Sequence, residues 1–126
     1  MAETAGGTGS SAPSLEGQHD HTVDGKGRVS VPVDFRNALG LGEGDELIVT
    51  RHLKERCLLL YWPESWDTFR DRAAAAPKSL STVLKRVVRG SARRVRVDRL
   101  GRIQIPLVLR RYADLDGKCF VMGQGE

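Results

Sequence analysis

The chain has 126 residues, 40% hydrophobic and 29% charged, a size and balance suited to one folded unit or to two interlocked halves sharing a core. It holds no run of 18 apolar residues and no basic-then-apolar opening, which excludes a membrane-spanning helix and argues against a secretory leader. The formal charge of +4 hides an asymmetry: residues 85–111 carry ten Lys and Arg against the one acid Asp98, a net +9, so the remainder sums to −5. Such concentration points to a polyanion partner, or to a solvated face balanced by acids from elsewhere in the fold or a neighbouring subunit.

Residues 1–18 are rich in Gly, Ala, Ser and Thr and nearly empty of large apolar side chains. They bury too little to offset ordering entropy, so a disordered tail is expected. Structure is expected to begin near His19–Thr22. A turn over Asp24–Gly27 then leads into Val29, Val31 and Val33, which alternate with Ser30 and Pro32 at the period of a half-buried strand. Pro32 ends that strand and suits the first turn of a short helix, with Phe35, Ala38 and Leu39 as its buried face and Gly40 as its cap. Leu47–Thr50 and Cys57–Trp62 read as a hairpin joined by the polar loop 51–56.

Two helices follow. The first is expected from about Ser65, with Trp66, Phe69, Ala73 and Ala76 on one stripe, ending before Pro77. The second runs from about Ser81 to Gly90, with Val83, Leu84, Val87 and Val88 on one face and Lys85, Arg86 and Arg89 on another. Arg94–Val97 alternates again, placing Val95 and Val97 inward. Ile103, Ile105 and Leu107 then repeat the first strand's pattern.

That recurrence is part of an internal repeat. Asp24, Gly27, Arg28, Pro32 and Arg36 reappear as Asp98, Gly101, Arg102, Pro106 and Arg110, always 74 residues later, with apolar residues at the intervening positions. The organisation is therefore a tail over 1–18, a first repeat over 19–62, linking helices over 63–90 and a second repeat over 91–126 that lacks its last strand. The expected fold class is mainly β with short helices, α+β.

The turns carry the chemistry. In Asp-x-x-Gly-Arg the carboxylate accepts backbone N–H bonds, Gly permits the bend, and Arg emerges at the start of the outgoing strand. Asp24, Gly27, Asp98 and Gly101 are thus turn-structuring residues. Arg28, Arg36, Arg99, Arg102, Arg110 and Arg111 are candidate DNA contacts, because guanidinium forks bind phosphate bidentately and read guanine edges. The alternative role of Arg28 and Arg102 is to pin their turns by pairing with Asp24 and Asp98.

On Asp24–Arg28, Pro32, Phe35–Arg36, Arg51, Cys57–Tyr61, Trp66 and the second Asp98–Arg102, Pro106, Leu109–Arg110, the chain closely resembles the MraZ family of bacterial transcriptional regulators. It is more distantly similar to AbrB-type domains. The resemblance covers about residues 19–124 and implies a pseudo-dimeric, swapped-hairpin β-barrel made from the two repeats. It further implies a sequence-specific regulator binding direct repeats in double-stranded promoter DNA, homo-oligomeric as a ring, cytoplasmic and nucleoid-associated. Lys26, Arg28 and Arg102 are the leading DNA contacts by that resemblance, with Arg36 and Arg110 secondary. The rival is a protein-interaction or antitoxin-like AbrB-type module that binds nucleic acid without specificity.

Other signals are weak. His19 and His21 lack a nearby carboxylate or Cys partner, so no metal is expected, and His52 in its polar loop suggests nothing specific. Cys57 and Cys119 lie apart in apolar runs and read as buried, reduced thiols. Tyr61, Trp62 and Trp66 read as core. The sequence contains no Ser–His–Asp or Cys–His arrangement and no phosphate-cradling loop before a helix, so neither an enzyme, a cofactor nor a small-molecule substrate is expected.

Overall fold

The structure is a computed structural model and describes residues 2–4, 18–52, 56–114 and 117–123. The elements in chain order are β1 (Ala2–Thr4), β2 (Gln18–Val23), β3 (Arg28–Ser30), α1 (Val33–Leu39), β4 (Glu46–Arg51), β5 (Leu58–Tyr61), α2 (Pro63–Ala75) and α3 (Lys78–Val83). A π-helical turn over Leu84–Arg89, β6 (Arg93–Arg96), β7 (Arg102–Gln104), α4 (Leu107–Ala113) and β8 (Gly117–Gly123) complete them. This is a mixed helix-and-strand, α+β chain. The composition-based expectation of a disordered tail meets β1 at residues 2–4, while 5–17 lie outside the described residues.

Six strands form one sheet in the order β2-β8-β1-β5-β4-β6, and β3 pairs with β7 in a separate two-stranded ribbon. Strands of the two repeats interleave. β4 of the first pairs antiparallel with β6 of the second, β2 of the first with β8 of the second, and β3 with β7 across the ribbon's centre. β1 runs parallel to both β5 and β8. Among the described residues the second repeat has no counterpart of the return strand β5.

The shared core follows from alternation. Val29 and Ile103 face each other on the ribbon's inner side and are buried, with Val31, Ile105, Leu47, Val49, Leu58 and Val97 around them. Phe35 of α1 and Leu109 of α4, 1% and 3% exposed, plug the same cluster from the two repeats. Burying one such side chain contributes about 1.5–3 kcal/mol before entropy. A second cluster joins Ile48 and Tyr61 of the sheet to Trp66 of α2 and Val88 of the π-helical turn. Burial there pushes the Tyr61 phenol up to about 12.

Several expectations shift on contact with the fold. Val33 is not a strand residue: Pro32 terminates β3 early, and Val33 opens α1 with 58% exposure. Ala38 is exposed, because seven residues make only two turns and Phe35 takes the inward stripe. Gly40 does cap α1, at φ +65, its N–H donating to the carbonyls of Arg36 and Asn37. α2 starts two residues early, at Pro63, which suits a first helical position.

The second linking helix begins at Lys78 and widens to π geometry from Leu84. That re-phases its face, leaving Val88 buried and Val83 43% exposed. The buried Thr50 hydroxyl donates to the Val88 carbonyl at 2.5 Å, tying β4 to this turn. Cys57 is buried. The Cys119, His19 and His21 side chains lie outside the described residues.

Candidate nucleic-acid interface

The two Asp-x-x-Gly-Arg turns fold by the same local bonds. Asp24 Oδ1 accepts from the backbone N–H groups of Lys26 and Arg28, both at 2.9 Å, while Oδ2 accepts from Arg28 Nε at 2.7 Å. Asp98 Oδ1 accepts from the N–H groups of Leu100 (2.9 Å) and Arg102 (2.8 Å), and Oδ2 from Arg102 Nε at 2.9 Å. In each turn the Gly N–H closes the bend on the Asp carbonyl at 3.0 Å, with φ +80 at Gly27 and Gly101. An L side chain rarely adopts that conformation, which accounts for glycine at both places.

These bonds hold the carboxylates ionised. Asp24 is lowered from 3.8 to about 2, chiefly by the Arg28 backbone N–H, with the Arg28 side chain and the Lys26 N–H adding to it. Asp98 is lowered for the same reasons, Arg102 and Leu100 supplying the donors. The structural role of Arg28 and Arg102 as turn pins is therefore realised. It uses Nε of each fork and leaves the two Nη groups uninvolved in that bond.

The ribbon sets the arginines relative to each other. Arg28 lies opposite Gln104 and Ser30 opposite Arg102, with the buried pair Val29–Ile103 between them. Alternation then puts Arg28, Ser30, Arg102 and Gln104 together on the outer face. Two residues of rise and one strand spacing separate the Arg28 and Arg102 backbones by about 8 Å. Cross-repeat bonds from the Val31 N–H to the Gly101 carbonyl (2.9 Å) and from the Ile105 N–H to the Gly27 carbonyl (2.8 Å) lock each turn to the opposite strand. Gln104 Nε2 donates to the Lys26 carbonyl at 2.8 Å. Ser30 and Gln104 were not singled out from sequence; their strand register beside the arginines is the signal that could have found them.

Lys26, Arg99 and Arg111 are exposed, the first two at the turn tips and the third on α4. Arg36 and Arg110 have a different setting. Arg36 Nε donates to the Val31 carbonyl (3.0 Å) and Arg110 Nε to the Ile105 carbonyl (2.9 Å). Their guanidinium groups lie against Gly101 and Gly27, each on the turn of the other repeat. Each thus clasps the turn of the other repeat, and both are half-buried.

The +9 stretch is also divided. Arg93, Arg94 and Arg96 line the exposed β6 edge, where Arg94 and Arg96 meet Glu46 at 2.7 and 4.0 Å, and Arg96 Nη1 donates to the Gly44 carbonyl. Such surface pairs add little stability. They do neutralise part of the charge and discourage edge pairing of β6. Among the described residues no helix is long and apolar enough to cross a membrane. No group of three or more His, Cys, Asp or Glu that could hold a metal occurs among them.

Residues 15–87 match the MraZ protein family, described as antitoxin-like. The transcriptional regulator MraZ of Legionella pneumophila (strain Corby) is 39% identical over 107 residues, covering 82% of this chain and 70% of that protein. The same-named protein of Marinomonas sp. is 37% identical over 114 residues, covering 89% of this chain and 76% of its own. That of Coxiella burnetii is 36% identical over 114 residues, covering 89% and 75%. The solution structure of PHS018 from Pyrococcus horikoshii aligns with 88% of this chain and 91% of its own, at a TM-score of 0.43 and 18% identity.

Proposed function

Since this chain belongs to the MraZ family, whose relatives here are named transcriptional regulators, we propose that it regulates transcription by sequence-specific binding of promoter DNA through its two Arg-bearing turns. The observation that carries this reading is the outer face of the β3–β7 ribbon. It holds Arg28 and Arg102 at fixed spacing, each oriented by an ionised Asp and each with an Nη pair directed to no partner in the turn. A two-stranded ribbon fits the major groove, and preset guanidinium forks bind phosphate or guanine with little ordering cost. Lys26, Arg99 and Arg111 extend the cationic surface around them.

The interleaved pairing of β2, β3 and β4 with β8, β7 and β6 supports reading the repeats as a pseudo-dimeric swapped-hairpin barrel. On this reading 19–62 and 91–126 are its halves, with 63–90 linking them. Arg36 and Arg110 then act by holding the turns in place, and contact DNA only through what their Nη groups reach. A ring of such modules on direct repeats would raise affinity through effective concentration, in the cytoplasm at the nucleoid.

The test is fluorescence anisotropy with a duplex of tandem promoter repeats and a scrambled duplex, across a salt series. The repeats are expected to bind more tightly, with a steep log–log salt slope of about −0.9 per phosphate contacted. Arg28→Ala and Arg102→Ala should weaken binding while each chain stays folded. Equal binding of both duplexes would favour the second reading, an antitoxin-like interaction module, which the family's description supports.

A further inference from the structure

The two turns share the bonds of their Asp, Gly and Arg residues yet differ at both tip positions. The first presents Gly25-Lys26 and the second Arg99-Leu100. Leu100 occupies the place of Lys26: its N–H donates to Asp98 Oδ1 at 2.9 Å, as that of Lys26 donates to Asp24 Oδ1 at 2.9 Å. Leu100 is 61% exposed and belongs to neither core cluster. A single exposed leucine ordinarily needs no explanation. This one stands between Arg99 and Arg102, at the position where its counterpart is a cation, so a partner must offer an apolar knob within a polyanionic surface. In duplex DNA that combination is the thymine C5-methyl group in the major groove.

We propose that Leu100 is a specificity-determining residue that contacts a thymine methyl, making the second turn chemically unlike the first and the module's DNA site asymmetric. The proposal rests on the DNA-binding reading above. Lys26 at the matching position serves phosphate or the acceptors of guanine. The pseudo-twofold frame would read a palindrome if the tips were alike. With Lys26 on one side and Leu100 on the other, it reads one direction.

The test begins with selection of duplexes from a randomised library on the full chain. Each thymine of the selected site is then replaced by deoxyuridine, which removes only the methyl group. One position is expected to lose about threefold to fivefold in affinity, the scale of one buried methyl. That loss should vanish in Leu100→Ala and in Leu100→Lys, the latter also selecting guanine in place of thymine. Both variants should fold as the parent does, since Lys26 already occupies the equivalent backbone. If deoxyuridine changes nothing at any position, or costs the same in Leu100→Ala, Leu100 reads no methyl and the proposal falls while DNA binding stands. If no duplex is enriched at all, the DNA reading fails and this proposal with it.

Discussion

The guanidinium of Arg110 lies across Gly27 in the turn of the other repeat, so close that a Cβ on Gly27 would meet its Cζ and Nε at 2.5 Å. Arg36 stands over Gly101 in the same way. The repeats are thus held together by reciprocal clasps as well as by a core. Gly27 answers to two constraints at once, a φ of +80 and a neighbouring side chain anchored on the Ile105 carbonyl.

Substitution separates those constraints. Gly44→Ala meets positive φ (+85) with nothing within 4 Å, and should cost only the backbone strain of about 1–2 kcal/mol. Gly27→Ala should cost about 1 kcal/mol more, because Arg110 must release its bond to Ile105. Gly25→Ala, with open space and no positive φ, is the neutral control. Urea denaturation measures all three. In an Arg110→Ala background the Gly27→Ala cost should fall to that of Gly44→Ala; an undiminished cost would remove the clasp from the account.

The turn carboxylates make acid stability site-specific. Asp24 has a folded value of about 2 against an ordinary 3.8, so its contribution is fully present above about pH 4 and is lost as pH falls towards 2. Asp98, lowered by equivalent donors, works in the same direction. Carbon-detected NMR should show the Asp24 carboxyl titrating near 2. Asp24→Asn should flatten the stability profile between about pH 4 and 2, and an Asp24 midpoint near 3.8 would contradict the bonding pattern.

How much of this was readable beforehand depended on how local the cause is. Asp24, Gly27 and Arg28 form their turn from contacts four residues apart or less, so spacing alone announced it, and the 74-residue offset announced its twin. The strand alternation placing Val29 and Ile103 inward was equally local. The regular spacing of Arg36 and Arg110, eight residues after each turn arginine, points equally to DNA contacts, and their own units offer only the carbonyls of Val31 and Ile105. Their glycine neighbours are supplied by the opposite repeat, more than 60 residues away in sequence. The π-helical phase change over Leu84–Arg89 was illegible too, since its stabilising contact is the Thr50 hydroxyl of a distant strand. That change is why Val83 faces outward.

The Thr50–Val88 bond therefore has a measurable role. Carbonyls at a helix end lack intrahelical donors, and Thr50 serves the Val88 carbonyl where both residues are buried. Thr50→Val keeps shape and β-branching but leaves that acceptor unsatisfied, at a cost of about 1–3 kcal/mol. Thr50→Ser keeps the hydroxyl and should recover the hydrogen-bond part of the loss, less a methyl of packing. Hydrogen exchange should report local opening of residues 84–90 in Thr50→Val ahead of the sheet; unchanged exchange there would show the turn to be held by packing alone.

Arg28 and Arg102 each serve a turn and, on the proposed reading, a phosphate at the same time, and a guanidinium suits both because its donors are spread over three nitrogens. Nε is committed to the Asp at 2.7 and 2.9 Å, and the two Nη groups, which take no part in that bond, are a second donor set. Lysine keeps the charge but has one ammonium, which either pairs with Asp24 or reaches the DNA. Arg28→Lys should therefore lose DNA affinity nearly as far as Arg28→Ala, about tenfold, the equivalent of about 1.4 kcal/mol. Lys26→Arg, at an exposed tip with no side-chain bond to keep, should be tolerated. Removing one phosphate contact should also reduce the salt slope by about 1. If Arg28→Lys binds as the parent does, charge alone suffices at this position and the Asp-oriented fork contributes nothing to recognition.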